Sequence, residues 1–300
     1  MRKLLVLLLL FTHCLQAQTK LHKLQQQAEA GDAGAQCDLG DIYYIGEGVT
    51  MDRLKAVEWY NKAAEQGLAE AQYNLGIVYE NGYTVAMDKT KAIEWYSKAA
   101  NQGYAVAQYN LGTMYYFGNG VLMDKTKAAE WFEKAAKQGY PDAQNNLAIM
   151  YDIGEGVLMD KRKAAEWFEK AAYKGHVSAQ ARLGSVYYEG KGVLMDKTKA
   201  IEWFEKAAEQ GNTNAMGILG IMYYSGEGVL TDKNRAAEWF QKSAEQGNAG
   251  SQYLLSNIYY IGDGVAVNKK KAAYWCEKAY SNGSEEAKVF WEENELWKYK

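Results

Sequence analysis

Tryptophan recurs in this chain at Trp59, Trp95, Trp131, Trp167, Trp203, Trp239 and Trp275, each 36 residues after the last. Around three of them a stretch returns almost letter for letter: VLMDKTKAAEWFEKAA at Val121–Ala136 comes back at Val157–Ala172 and at Val193–Ala208. No insertion breaks the interval. A fixed period of this length marks equivalent units that stack, because one such unit cannot bury its apolar face alone. The period overrides the one or two domains that 300 residues would otherwise suggest.

Within one unit, Ala71, Leu75, Val78 and Tyr79 fall at i, i+4, i+7 and i+8 and predict a first helix, A. Gly76 on that helix recurs as Gly40, Gly112, Gly184 and Gly220, with Ala148 and Ser256 as substitutes, so close helix packing is expected there. A Gly-x-Gly-Val turn follows, as at Gly46–Val49; in the second unit Thr84 replaces a glycine, which predicts an altered turn. With no strand before it, this is a helix exit rather than a phosphate loop.

Asp52, Asp88, Asp124, Asp160, Asp196 and Asp232, with Asn268 in the last unit, then stand where an N-cap belongs. Each stands alone, which suits capping better than metal binding. Helix B carries Ala92, Trp95, Tyr96, Ala99 and Ala100 on one stripe, with Lys91 and Lys98 pointing to water, and ends at Gly103 and its counterparts.

The ends differ from the middle. Arg2 and Lys3, the apolar run Leu4–Phe11 and the small residue Ala17 read as a signal peptide over residues 1–18, too short to span a bilayer. His13 before Cys14 argues against a lipoprotein anchor there. Residues 19–30 read as a polar half-repeat, 31–282 as seven full repeats, and 283–300 as a capping helix using Phe290, Trp291 and Trp297. Cys37 and Cys276 lie too far apart to pair; Cys276 stands where other units have Tyr or Phe and reads as a small core residue.

The offsets Ala107-Gln108, Leu111-Gly112, Tyr115, Gly118, Gly120-Val121, Asp124, Lys127-Ala128, Trp131 and Lys134-Ala135-Ala136 resemble the Sel1-like repeat, a relative of the tetratricopeptide repeat. The resemblance implies an all-α, right-handed superhelical solenoid of antiparallel helix pairs whose A helices line the concave side. It also implies a role as scaffold or adaptor in protein complexes.

Positions held constant by stacking cannot distinguish ligands, so specificity is expected on helix A, which varies. With the resemblance placing the concave side, one row carries Tyr73, Tyr109, Asn145 and Tyr253, and the next Asn74, Asn110, Asn146 and Arg182. A third carries Tyr44, Glu80, Tyr116, Asp152, Tyr188, Tyr224 and Tyr260. Asparagine amides can pair with an extended backbone and tyrosines offer rigid contact area, which suits a protein or peptide partner. The alternative role for these tyrosines is packing between A helices.

Lys and Arg total 34 against 37 Asp and Glu, a net charge of −3 with the signs interspersed, so no nucleic-acid-binding face is expected. After residue 18 the only histidines are His22 and His176, with no metal-ligand or nucleophile motif, so neither a catalytic site, a cofactor nor a metal is expected. Cysteine-rich relatives associated with β-lactam hydrolysis carry a cysteine pair in each repeat, which this chain lacks. Cell-envelope glycan is the alternative ligand, through tyrosine stacking on sugar rings.

Overall fold

The computed structural model describes residues 19–300, so the signal-peptide reading of residues 1–18 lies outside the described residues. Residues 19–29 form α1. The A helices follow at 36-residue intervals: α2 (Ala33–Ile45), α4 (Ala69–Asn81), α6 (Ala105–Phe117), α8 (Pro141–Ile153), α10 (Val177–Glu189), α12 (Thr213–Ser225) and α14 (Ala249–Ile261). The B helices alternate with them: α3 (Arg53–Glu65), α5 (Lys89–Asn101), α7 (Lys125–Lys137), α9 (Lys161–Tyr173), α11 (Lys197–Glu209), α13 (Lys233–Glu245) and α15 (Lys269–Ser281). Then come α16 (Glu285–Glu293) and a 3₁₀ turn, Leu296–Tyr299. The described residues are thus all-α, as the periodicity predicts, and none of their helices is long and apolar enough to cross a membrane. They fall into two compact units, one running to Ala143 and taking in Glu155–Val157, the other comprising Gln144–Gly154 and Leu158–Lys300.

Local chemistry sets the ends of each helix. The six aspartates and Asn268 all cap a B helix, each accepting the backbone N–H three residues on at 2.9–3.0 Å. A helices end on a left-handed glycine such as Gly118, φ 70°, whose N–H donates to Met114. Thr84 is the exception. Among the described residues only Glu295 is a non-glycine with positive φ, so Thr84 does not adopt the conformation of Gly120 or Gly192, and the second turn is altered as expected.

The recurring small residue on helix A answers to the ring on its own helix B. A Cβ on Gly112 would lie 2.8 Å from the Phe132 ring, and one on Gly184 2.7 Å from Phe204. In the seventh repeat, fully buried Cys276 takes the place of that ring, and Ser256 uses its hydroxyl to donate to the Ala272 carbonyl at 2.8 Å. Alanines with these rings and Leu75, Leu111, Leu183 and Leu219 form the core.

Buried glutamines join successive pairs. Gln72 Nε2 donates to the Ala64 carbonyl, closing helix A onto the preceding helix B, while its Oε1 accepts from Gln102 at 2.8 Å. Gln36 with Gln66, Gln108 with Gln138 and Gln180 with Gln210 repeat the arrangement. Each bond contributes about 1 kcal/mol, and losing one partner would strand a buried amide.

Two expectations change. Lys98 does not simply reach water: its ammonium lies 3.8 Å from the Trp95 ring centroid, as Lys62, Lys134, Lys170, Lys206 and Lys242 do over theirs. At the C-terminal end Phe290 and Trp291 cover Ala273, Cys276 and Ala279, but Leu296, fully buried, replaces Trp297, which is half exposed. The VLMD segment also does less packing than its recurrence suggests, since Leu122, Leu158, Leu194 and Leu230 are all about nine-tenths exposed.

Candidate functional site

Because helix B buries its stripe and helix A spends one side on it, the remaining side of helix A holds the varied residues. On α4 and α6, Tyr73 and Tyr109 are half-buried and form matching aromatic clusters. Tyr73 lies 5.7 Å from Tyr96 and 5.4 Å from Tyr104; Tyr109 lies 5.7 Å from Phe132 and 5.2 Å from Tyr140. Burial pushes the Tyr73 phenol up, and a hydrogen bond with Asn110 partly offsets it. Tyr104 and Tyr140 come from the turn before the next A helix and were not foreseen as part of this face.

The asparagines are partly committed. Asn74 Nδ2 donates to Asp41 Oδ1 at 3.2 Å and to the Cys37 sulfur at 3.7 Å. Asn110 serves Tyr73 and Tyr96. Asn145 is buried and donates to Asn146 Oδ1 at 3.3 Å, leaving its own Oδ1 without a hydrogen bond. These are separate local roles rather than one continuous amide ladder.

The third row is tied into the joints between repeats. Tyr116 donates to Glu155 at 2.7 Å while Lys125 pairs with the same carboxylate at 2.8 Å. Tyr188 and Lys197 meet on Glu227, and Tyr224 and Lys233 on Asp263. In the fourth repeat the charges are exchanged: Asp152 takes the tyrosine place and accepts from Lys161 at 2.7 Å. Lys125, Lys197 and Lys233, followed by the tyrosine bonds, hold Glu155, Glu227 and Asp263 below the usual carboxylate range. Tyr253 and Tyr260 both pack edge-on against Phe290. Arg182 remains exposed.

Sequence reading missed one pairing altogether. Tyr60 and Tyr96 stand where the next four repeats have phenylalanine, and each donates at 2.6 Å to a carboxylate on its own helix A, Asp41 and Glu80. Desolvation raises Asp41 above the ordinary aspartate value, opposed by the Tyr60 bond. The signal was visible as two tyrosines coinciding with two acids, but only the fold joins positions 19 and 16 residues apart.

Charge is segregated by helix as well. The A helices together carry Asp38, Asp41, Glu70, Glu80, Asp142, Asp152 and Glu189 against Arg182 alone, whereas every B helix has at least three Lys or Arg. The charges of the A helices are thus almost all acidic, whereas on each B helix Lys and Arg equal or outnumber the glutamates.

Repeated pairs of 13-residue helices, joined by recurring caps and side-chain amide bonds, define a helical-repeat protein. The Sel1 repeat matches seven times, at residues 33–68, 69–104, 105–140, 141–176, 177–212, 213–248 and 249–284, and the chain belongs to that family. It is similar to a Sel1 repeat protein from Oxalobacter formigenes, with 36% identity over 92% of this chain and 80% of that one, TM-score 0.73. It is also similar to c5321, described as a protective antigen present in uropathogenic Escherichia coli strains, with 37% identity, TM-score 0.59, and coverage of 89% of this chain and 65% of that one. No curated protein matches the chain. Sel1-repeat proteins are commonly protein-interaction scaffolds.

Proposed function

We propose that this chain is an exported, non-catalytic scaffold or adaptor that docks a polypeptide partner along its A-helix face. The observation that carries the reading is the Tyr73–Tyr104 and Tyr109–Tyr140 pairs, half-buried aromatics that meet ring to ring although the same two places are filled by Ala181 with Asn212 and by Gly217 with Asn248 in later repeats, so stacking does not require them. Rigid aromatic area beside amides is the composition of a protein interface. Export rests on Arg2, Lys3, the Leu4–Phe11 run and Ala17.

The test is a pull-down from the native cell envelope with wild type, a Tyr73→Ala/Tyr109→Ala variant and a B-side Lys134→Ala control, each checked for folding by circular dichroism. Loss of a specific protein from the tyrosine variant alone supports docking here. Equal recovery by all three contradicts it, and retention on glycan without protein favours saccharide recognition.

A further inference from the structure

We propose that the A-helix face of α2, α4 and α6 receives a basic polypeptide segment whose lysine or arginine side chains are directed to Asp41 and Glu80. This rests on the docking reading above and adds the chemistry of the partner. Charge is the first argument. These three helices carry Asp38, Asp41, Glu70 and Glu80, with no lysine, arginine or histidine. Lys20 and Lys23 of α1 share a cleft with Asp38 and Asp41 at one edge, and make no ion pair with either.

The second argument is what the chain does with its other tyrosine-bound carboxylates. Glu155, Glu227 and Asp263 each accept from a tyrosine and are neutralised by a lysine. Asp41 and Glu80 have the tyrosine but make no ion pair among the described residues; Lys89, at the register from which Lys161 reaches Asp152, donates instead to Asn119 at 2.7 Å. Asp41 Oδ1 takes both the Tyr60 hydroxyl and Asn74, and Glu80 Oε2 takes the Tyr96 hydroxyl. Among the described residues Asp41 Oδ2 and Glu80 Oε1 accept nothing. Asp41, half-buried and desolvated, has no counter-ion to offset that cost, and a partner's ammonium or guanidinium would supply one.

Aromatic faces supply the third. Lysines lie 3.6–4.3 Å from the ring centroids of Trp59, Trp95, Trp131, Trp167, Trp203 and Trp239. Among the described residues no cation lies over Tyr73 or Tyr104, although the charge of Glu80 reaches Tyr73 and those of Asp41 and Glu70 reach Tyr104. An arginine entering between them would meet a carboxylate and a ring face together.

The full chain is applied to an array of random 15-residue peptides, and bound sequences are resynthesised for titration at low and high salt. Enrichment of Lys and Arg is expected, with affinity falling about tenfold in Asp41→Asn/Glu80→Gln and falling again as salt rises. Both substitutions keep the oxygen that accepts from tyrosine, so folding is retained; Glu227→Gln, outside this face, should bind as wild type does. Bound peptides without basic enrichment, yet lost in Tyr73→Ala/Tyr109→Ala, overturn the charge assignment and leave docking on the A face standing. Binding untouched by any of these variants, or no binding at all, overturns both.

Discussion

Gly184 shows how much one missing methyl group decides. Its position faces the Phe204 ring so closely that a Cβ would lie 2.7 Å away, while in the fourth repeat Ala148 occupies the equivalent place opposite Phe168 and both remain buried. The pair can therefore open enough for one carbon. Gly184→Ala should cost about 1 kcal/mol and Gly184→Val about 3 kcal/mol, read from urea denaturation midpoints. The need for a small residue was legible from its recurrence. Its partner was not, because the ring arrives from another helix and no spacing along helix A announces it. Asp41 illustrates the same gap with a consequence for pH. Its folded value is raised by desolvation, so its contribution is most favourable below the ordinary aspartate range and is lost as pH rises through the folded value. Asp41→Asn should therefore gain stability relative to wild type at pH 7 and lose that advantage at pH 3, in paired denaturation curves.

At the scale of the element, caps and clamps divide the work. The N-cap aspartates were readable one by one, since a lone acid before an apolar stripe has few other uses; Asp196→Ala should cost about 1 kcal/mol in the same assay. The joint clamps were not readable. Tyr188, Lys197 and Glu227 meet across 39 and 30 residues of sequence, a register that only stacked repeats create. Tyr116, Tyr188 and Tyr224, assigned to a ligand from sequence alone, thus hold carboxylates with their hydroxyls, and a lysine lies beside each ring. The sign of the pH effect is opposite to that of Asp41. Glu227 is held low by Lys197 and Tyr188, so its stabilisation is present above the ordinary glutamate value and is lost as pH falls through the lowered one. Glu227→Gln should be less stable than wild type at pH 7, and the gap should close on acidification.

For the whole molecule, stability comes from neighbour on neighbour, so damage at an end should remain local. Removal of residues 285–300 uncovers Ala273, Cys276 and Ala279 and should speed hydrogen exchange in α14 and α15 while leaving α2 to α6 unchanged. The 36-residue period carried the stacking of equivalent units, and the helical spacing of Ala71, Leu75, Val78 and Tyr79 and of Ala92, Trp95, Tyr96 and Ala99 made each unit a pair of helices. Charge organisation escaped the same reading, since the acidic bias of the A helices appears only after every residue has been assigned to its helix. That asymmetry bears directly on function. The most direct measurement places a photo-crosslinking amino acid at Asn110 on the A face or at Glu130 on the B side, each in full-length chain in its native envelope. A discrete polypeptide adduct from position 110, absent from position 130, is the expected result. An adduct from position 130 alone would contradict docking on the A-helix face.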